Sequence, residues 1–252
     1  MHAYGINTER GKGMIGKKYM GIAALAVLFA FAPSAGFAQT VKPMKVGLGE
    51  TVITPQKNMQ MAGFARSQVS TGVHDDLHAR SLAVEDGDGN SAILMTVAIV
   101  SMDEKVGAKI RGDITAKTGV PGDRIVISCT HTHAGPSMPR GGDEYDKSSP
   151  DDSYYTFLVN RCVESAVKAW TGRVPGRIGI GATEVFELGR NRRRLLYGGV
   201  HPDPQVAVIR IEDAKGNLMG VAFNYGCNPS GLEYKNTLFS EDWPHYAISG
   251  IK

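Results

Sequence analysis

The sequence predicts an α/β fold of mixed α+β character: a central mixed sheet with a βαβ crossover and flanking helices. Three observations predict it. Two pairs of β-rich runs are each joined by a short Asp/Gly/Asn turn. One run, one helical pattern and a second run follow one another at the length of a βαβ unit. A second helical pattern carries a wide apolar face.

The first hairpin is read from Ser81 to Glu85, the turn Asp86-Gly87-Asp88-Gly89-Asn90, and the run Ala92 to Val100. A helix follows over Asp103–Thr118. Ser101 and Glu104 have the spacing of a capping box, Val106, Ile110 and Ile114 form a stripe at i, i+4 and i+8, and Gly119 stops it. Pro121-Gly122 turns the chain into the run Arg124–Cys129, so the two strands are expected to be parallel with a right-handed crossover.

A polar loop rich in Gly and Pro spans His131–Asp152. The second helix is read over Ser153–Trp170. Its apolar face comprises Tyr155, Leu158, Val159, Cys162, Val163, Ala166, Val167 and Trp170, and Gly172 and Pro175 end it. A strand over Arg177–Ala182 follows. The second hairpin, Gln205–Glu212 and Leu218–Tyr225, turns at Asp213-Ala214-Lys215-Gly216-Asn217.

Composition bounds the rest. The 252 residues are 42% hydrophobic and 21% charged, which excludes a collagen-like, coiled-coil or wholly disordered chain. A basic start (Arg10, Lys12, Lys17, Lys18), an apolar run from Met20 to Phe31 and small residues at Gly36 and Ala38 have the pattern of a secretory signal. The apolar run is shorter than the roughly 18–20 residues that cross a bilayer. Residues 1–38 are therefore expected to be a signal peptide, with Met14 as a second candidate start. Residues 39–252 form the folded domain, exported to the periplasm or secreted, with no transmembrane anchor after signal cleavage.

The segment 1–38 holds four of the 28 basic and one of the 25 acidic residues, leaving 24 of each. A near-neutral domain argues against a nucleic-acid partner. Three cysteines, Cys129, Cys162 and Cys227, leave at least one thiol unpaired, and Cys162 reads as a small core residue.

The chemistry concentrates in Thr130-His131-Thr132-His133-Ala134-Gly135-Pro136, directly after a strand. In an extended chain, side chains at i and i+2 share a face, so both imidazoles can address one site. Ligand sites in open α/β sheets lie beyond the carboxyl ends of strands. Neutral imidazole binds zinc, and a second histidine can move protons or polarise a carbonyl. His74 and His78 read as solvated loop residues, and His201 and His245 as structural or surface side chains. Gly189-Arg190-Asn191-Arg192-Arg193-Arg194 reads either as a solvated basic turn or as a source of a guanidinium for an anion or oxyanion.

Several segments together resemble one family, the neutral/alkaline non-lysosomal ceramidases. They are Val46-Gly47-Leu48-Gly49, Ile53-Thr54-Pro55, Met61-Ala62-Gly63-Phe64-Ala65, Gly72-Val73-His74 with Leu77-His78-Ala79-Arg80, the Thr-His-Thr-His-Ala-Gly-Pro stretch, Asn191-Arg192-Arg193, Phe223–Pro229 and Ser240-Glu241-Asp242-Trp243-Pro244. The resemblance implies a zinc-dependent amidohydrolase acting on the N-acyl bond of ceramide or a related lipid amide. It makes His131 a zinc ligand and puts His133 and Arg192 at the reacting carbonyl. It puts Asn228 where the family has a second histidine ligand. The family's remaining ligands, a glutamate and a tyrosine, and its site serine come from regions beyond this chain, so 39–252 is expected to be incomplete at its C-terminus. His245 is the one further imidazole considered for the position of the missing ligand. Two other readings stand beside this one: an inactive fragment or pseudoenzyme of the family, and a metal-dependent hydrolase of another ester or phosphoester.

Overall fold

The computed structural model describes residues 43–64, 68–138, 152–186, 188–191 and 202–251. Among the described residues, nine strands and three α-helices follow in chain order: β1 (Lys45–Val52), β2 (Gly72–Val73), β3 (His78–Glu85), β4 (Ser91–Val97), α1 (Glu104–Thr118), β5 (Ile125–Cys129), α2 (Asp152–Thr171), β6 (Val174–Glu184), β7 (Gln205–Asp213), β8 (Leu218–Tyr225), β9 (Leu238–Phe239) and α3 (Trp243–Ser249). Seven strands form one sheet in the order β5-β4-β3-β1-β6-β7-β8, and β2 pairs with β9. The mixed α/β expectation is met.

Both predicted hairpins form. β3 and β4 are antiparallel from Ala79↔Val97 to Glu85↔Ser91, and Asp86 closes their turn by accepting from the backbone N–H groups of Asp88 and Asn90. β7 and β8 pair the same way across a turn closed by Asp213. β4 and β5 run parallel with α1 between them, which is the predicted βαβ unit.

Helix α1 is capped by Asp103, which accepts from Lys105 N, rather than by the expected Ser101–Glu104 box. An aspartate at N-cap does the same work as serine, satisfying a first-turn N–H, and adds charge complementary to the helix dipole. Gly119 ends the helix at φ 78°, a left-handed cap that a side chain would strain. The stripe Val106, Ile110, Ile114 is buried as its spacing requires. On α2, Leu158, Val159, Cys162, Val163 and Ala166 are buried; Tyr154 takes the deep position instead of Tyr155, and Tyr155, Val167 and Trp170 pack at the margin.

The architecture is three layers. Alternation along β1 and β3 sends Gly47, Gly49, Thr51, Ala79, Ser81 and Ala83 towards α2. Small residues there let the helix lie directly on the strand: Ser165 Oγ meets Gly49 O at 3.0 Å and Ser81 Oγ at 2.9 Å. The opposite face carries Val46 and Leu82, which pack with Ile211 of β7 in a second, smaller core bordered by Ile178, Ile209 and Met219. β6 meets β1 over only two residue pairs, Lys45↔Pro175 and Val46↔Val174. Strands β6–β8 can therefore fold over the first four, bringing the loops after β5 and β8 into contact.

Candidate active site

Those two loops build the site. Beyond β5, Thr130 N donates to Val97 O and His131 N to Ile99 O, each at 3.0 Å, so the loop is laid along the end of β4. His131 adopts φ 66°, unlike the extended conformation the spacing suggested. A non-glycine residue there is strained and persists only where its surroundings hold it. A third bond supplies that hold: His131 Nδ1 lies 2.8 Å from Val100 O. A carbonyl can only accept, so Nδ1 carries the proton and Nε2 is left with its lone pair. That is the tautomer and anchoring of a metal-ligating histidine.

His133 sits beside it, ring centroids 5.2 Å apart, but is buried where His131 is exposed. Its ring is held edge-on by Phe64 at 4.6 Å, and Gly63 lies against it; a Cβ on Gly63 would come within 2.5 Å of His133 Cα. Segment 60–62 clamps the same turn: Ala62 N donates to Gly135 O at 3.0 Å, and Ser137 N to Gln60 O at 2.7 Å. The Met-Ala-Gly-Phe segment thus belongs to the site through packing, a role its apolar composition did not announce.

His133 N donates to Pro229 O at 2.9 Å, tying the loop after β5 to the loop after β8. Asn228 therefore lies next to the histidine turn, exposed, on the wall of a cleft of about 640 Å³. Asn191, Arg190, Asp242 and Trp243 also line this cleft. Arg192 lies outside the described residues, as do Arg193, Arg194 and His201. Asn191, its neighbour, is at the cleft. Cys227 opens on the same space; burial, and then the Asp242 carboxylate, push its thiol up, so it is not a ready nucleophile at neutral pH. All three cysteines are free, and Cys162 is fully buried.

Below the histidine turn is a polar layer that sequence reading missed. Thr132 is fully buried; its hydroxyl donates to Ser240 O at 2.8 Å, and Ser240 N donates to Ala134 O at 3.0 Å. Asp242, at φ 64°, accepts from Leu232 N and Trp243 N. His74 is an exposed residue of the turn after β2, whereas His78 is a part-buried strand residue and not a loop residue. His74 Nδ1 lies 2.8 Å from Asp75, and His78, on β3, approaches the buried Glu241. His245 faces Asp75, not Asn228. The juxtaposition of Asp75 and Glu241 spans more than 160 residues of chain, so only the carboxylates beside His74 hinted at it.

The zinc implied by the resemblance can be weighed against these donors. His131 fits in tautomer and exposure. Asn228 offers an amide oxygen, a poorer partner for zinc than imidazole. Catalytic zinc takes three protein ligands and a water. Among the described residues, the only group of three His, Cys, Asp or Glu donors within 4.8 Å of one another is Asp75, Glu241 and His245, which excludes His131. The described donors at the histidine turn thus do not complete a zinc site.

Comparison with known proteins follows the same residues. The family model described as "Neutral/alkaline non-lysosomal ceramidase, N-terminal" matches residues 44–249. The neutral ceramidase of Pseudomonas aeruginosa is 27% identical over 224 residues, covering 81% of this chain and 33% of that protein. The neutral ceramidase of Drosophila pseudoobscura pseudoobscura is 28% identical over 248 residues, covering 90% and 35%. The crystal structure of the Pseudomonas aeruginosa enzyme superposes with a TM-score of 0.72 at 26% identity over 79% of this chain and 34% of that one. The chain spans about a third of the length of these relatives. With the family model matching residues 44–249, the histidine turn among them, this chain belongs to the neutral/alkaline non-lysosomal ceramidase family.

Proposed function

We propose that this domain carries the carbonyl-binding side of a hydrolase site that cleaves the amide bond of ceramide or a related N-acyl lipid. The observation that supports it most is the anchoring of His131, whose Nδ1 bond to Val100 O leaves Nε2 facing outward beside the buried His133. Zinc would be held first by His131, with the Asn228 oxygen a weak second donor. These two donors alone do not complete a zinc site; a zinc held with further ligands would polarise the carbonyl and acidify a water. His133, held by Phe64 and the Pro229 clip, would donate to the substrate oxygen as charge develops there, where a preorganised donor is worth most. Arg192 is proposed as a second donor to that oxygen. Water adds to the carbonyl carbon, the C–N bond breaks, and the amine takes up the proton that the water gives.

Residues 1–38 are proposed to be an export signal and 39–252 the folded domain, active in the periplasm or outside the cell. Among the described residues no helix is long and apolar enough to cross a membrane.

A second reading, a member of the family that binds its ligand without turnover, is favoured by one observation: Asn228 stands on the cleft wall where the resemblance puts an imidazole. Fatty-acid release from ceramide by the purified chain, with zinc content measured before and after chelation, separates the readings. Stoichiometric zinc, with activity lost on chelation and in both His131→Ala and His133→Ala, supports the amidase. No chelator-sensitive turnover, whatever the zinc content, selects the binding protein. Hydrolysis of a phosphoester in preference to ceramide overturns the lipid-amide substrate.

A further inference from the structure

We propose that Asp75, Glu241 and His245 form a divalent-cation site separate from His131, taking Zn²⁺ ahead of Mn²⁺, which staples helix α3 to the turn after β2.

Their donor atoms lie within 4.8 Å of one another. Both carboxylates are buried, Asp75 at 8% and Glu241 at 1% exposure, while His245 is open enough to admit an ion from solvent. Each carboxylate is oriented by the protein. Asp75 Oδ2 accepts from the Ser240 hydroxyl and faces His74 Nδ1, and its Oδ1 accepts from Glu241 N at 2.8 Å. Glu241 Oε1 accepts from His78 N at 3.0 Å and Arg80 Nη1 at 2.7 Å. Such partners are what hold metal-ligating carboxylates in place.

Two observations point to a ligand and not merely to a polar cluster. Glu241 Oε2 is fully enclosed and has no hydrogen-bond partner. A buried carboxylate oxygen left without a donor costs free energy that a cation would recover. Second, His245 Nδ1 and Asp75 Oδ1 are 3.5 Å apart. That is too long for a hydrogen bond. It is close to the roughly 3.4 Å edge of a tetrahedron whose corners lie about 2.0–2.1 Å from a central zinc.

Charge agrees with geometry. Arg80 is the guanidinium that touches Glu241, and it is shared with Glu50 at 2.5 Å. One guanidinium therefore serves two carboxylates while Asp75 adds a third beside them. One imidazole with two carboxylates suits Zn²⁺ or Mn²⁺, and the order of divalent affinities puts Zn²⁺ first. The site lies under the histidine turn, since Ser240 bonds both Asp75 and Ala134. An ion there would brace the histidine turn through Ser240.

The test uses the metal-stripped chain and Zn²⁺ alone, read by equilibrium dialysis and by thermal unfolding. In His131→Ala, one Zn²⁺ per chain still binds and raises the unfolding temperature. Adding His245→Ala weakens that binding at least about 100-fold and abolishes the thermal shift, while the zinc-free unfolding temperature stays close to that of His131→Ala. Glu241→Gln in the same background, which can keep its bonds to His78 and Arg80, weakens it similarly. The site is overturned if His131→Ala binds no zinc, or if binding survives both His245→Ala and Glu241→Gln unchanged. Loss of ceramide turnover in His131→Ala with zinc retained at this second site leaves the amidase proposal to stand or fall by itself.

Discussion

Replacing Gly49 with alanine tests how closely α2 lies on β1. A Cβ there would sit 2.1 Å from Ser165 O, 2.8 Å from Ala169 N and 3.1 Å from Lys168 Cβ. The first two are backbone atoms of a helix and cannot swing away. Contact with a carbonyl oxygen needs roughly 1 Å more room, so the helix must lift from the strand. Lifting it strains several bonds at once: Thr51 Oγ1 to Arg161 O at 2.8 Å, Arg161 Nε to Val52 O at 3.0 Å, and Tyr154 Oη to Ile53 O at 2.9 Å. Overpacking of this kind costs about 3 kcal/mol, the upper part of the usual range. In a domain of this size each kcal/mol moves the unfolding temperature by about 2–4 °C, so a fall of about 6–12 °C is expected. Circular dichroism at 222 nm during heating measures it. Gly179→Ala on β6, where an added Cβ meets nothing within 4 Å, is the control and should leave the transition in place. An unchanged midpoint in Gly49→Ala, or an equal fall in both variants, would refute the close-packing argument.

Gly63→Ala should push His133 from its position, because the new Cβ would overlap its Cα and Cγ at 2.5 Å and Gly63 has φ +98°. A displacement near 1 Å predicts a loss of about 100-fold in ceramide turnover, read as kcat. In a His245→Ala background, Asn228→His should raise zinc affinity at least about tenfold, since imidazole replaces an amide oxygen; dialysis against zinc buffers reads it, and unchanged affinity would place residue 228 away from the metal. Glu85 predicts an acid limb. A hydrogen bond from Lys45 at 2.8 Å and the Arg173 guanidinium hold its carboxyl below the ordinary value despite partial burial. A lowered folded-state pKa gives stability that is present above the unfolded value and lost as pH falls through the folded one. The wild type should thus exceed Glu85→Gln in urea midpoint at pH 7, with the gap closing towards pH 3; a gap independent of pH would contradict this.

Local chemistry made much of the fold legible in advance. The Asp-Gly turns, the stripe Val106–Ile110–Ile114 and Gly119 each specify their structure within a few residues, and all formed. The cap of α1 moved from Ser101 to Asp103 because two polar residues two positions apart compete for one role and sequence does not rank their geometry. The pair β2–β9 and helix α3 were not anticipated. They are short, and Gly72–Val73 pairs with a strand more than 160 residues away. At the site, the two histidines were legible as a motif, but the turn at His131 was not. Its φ of 66° is held by the Ile99 and Val100 carbonyls, just beyond β4, which the motif does not contain. Glu241 was least legible. A glutamate beside Asp242 and Trp243 reads as a surface residue until Arg80 and His78 are seen to enclose it.

The clip from His133 N to Pro229 O has a consequence for how the protein comes into being. It joins residues almost a hundred positions apart that follow the two outermost strands of the seven. Closing so long a segment is entropically costly, and contacts of high sequence separation form slowly. Hairpins β3–β4 and β7–β8 can each zip from their own turns, yet neither contains a site. His133 acquires its place only when the two strand groups have already docked. Binding competence should therefore lag secondary structure during refolding, and a collapsed intermediate with full helix and sheet content would still lack the His133–Pro229 clip.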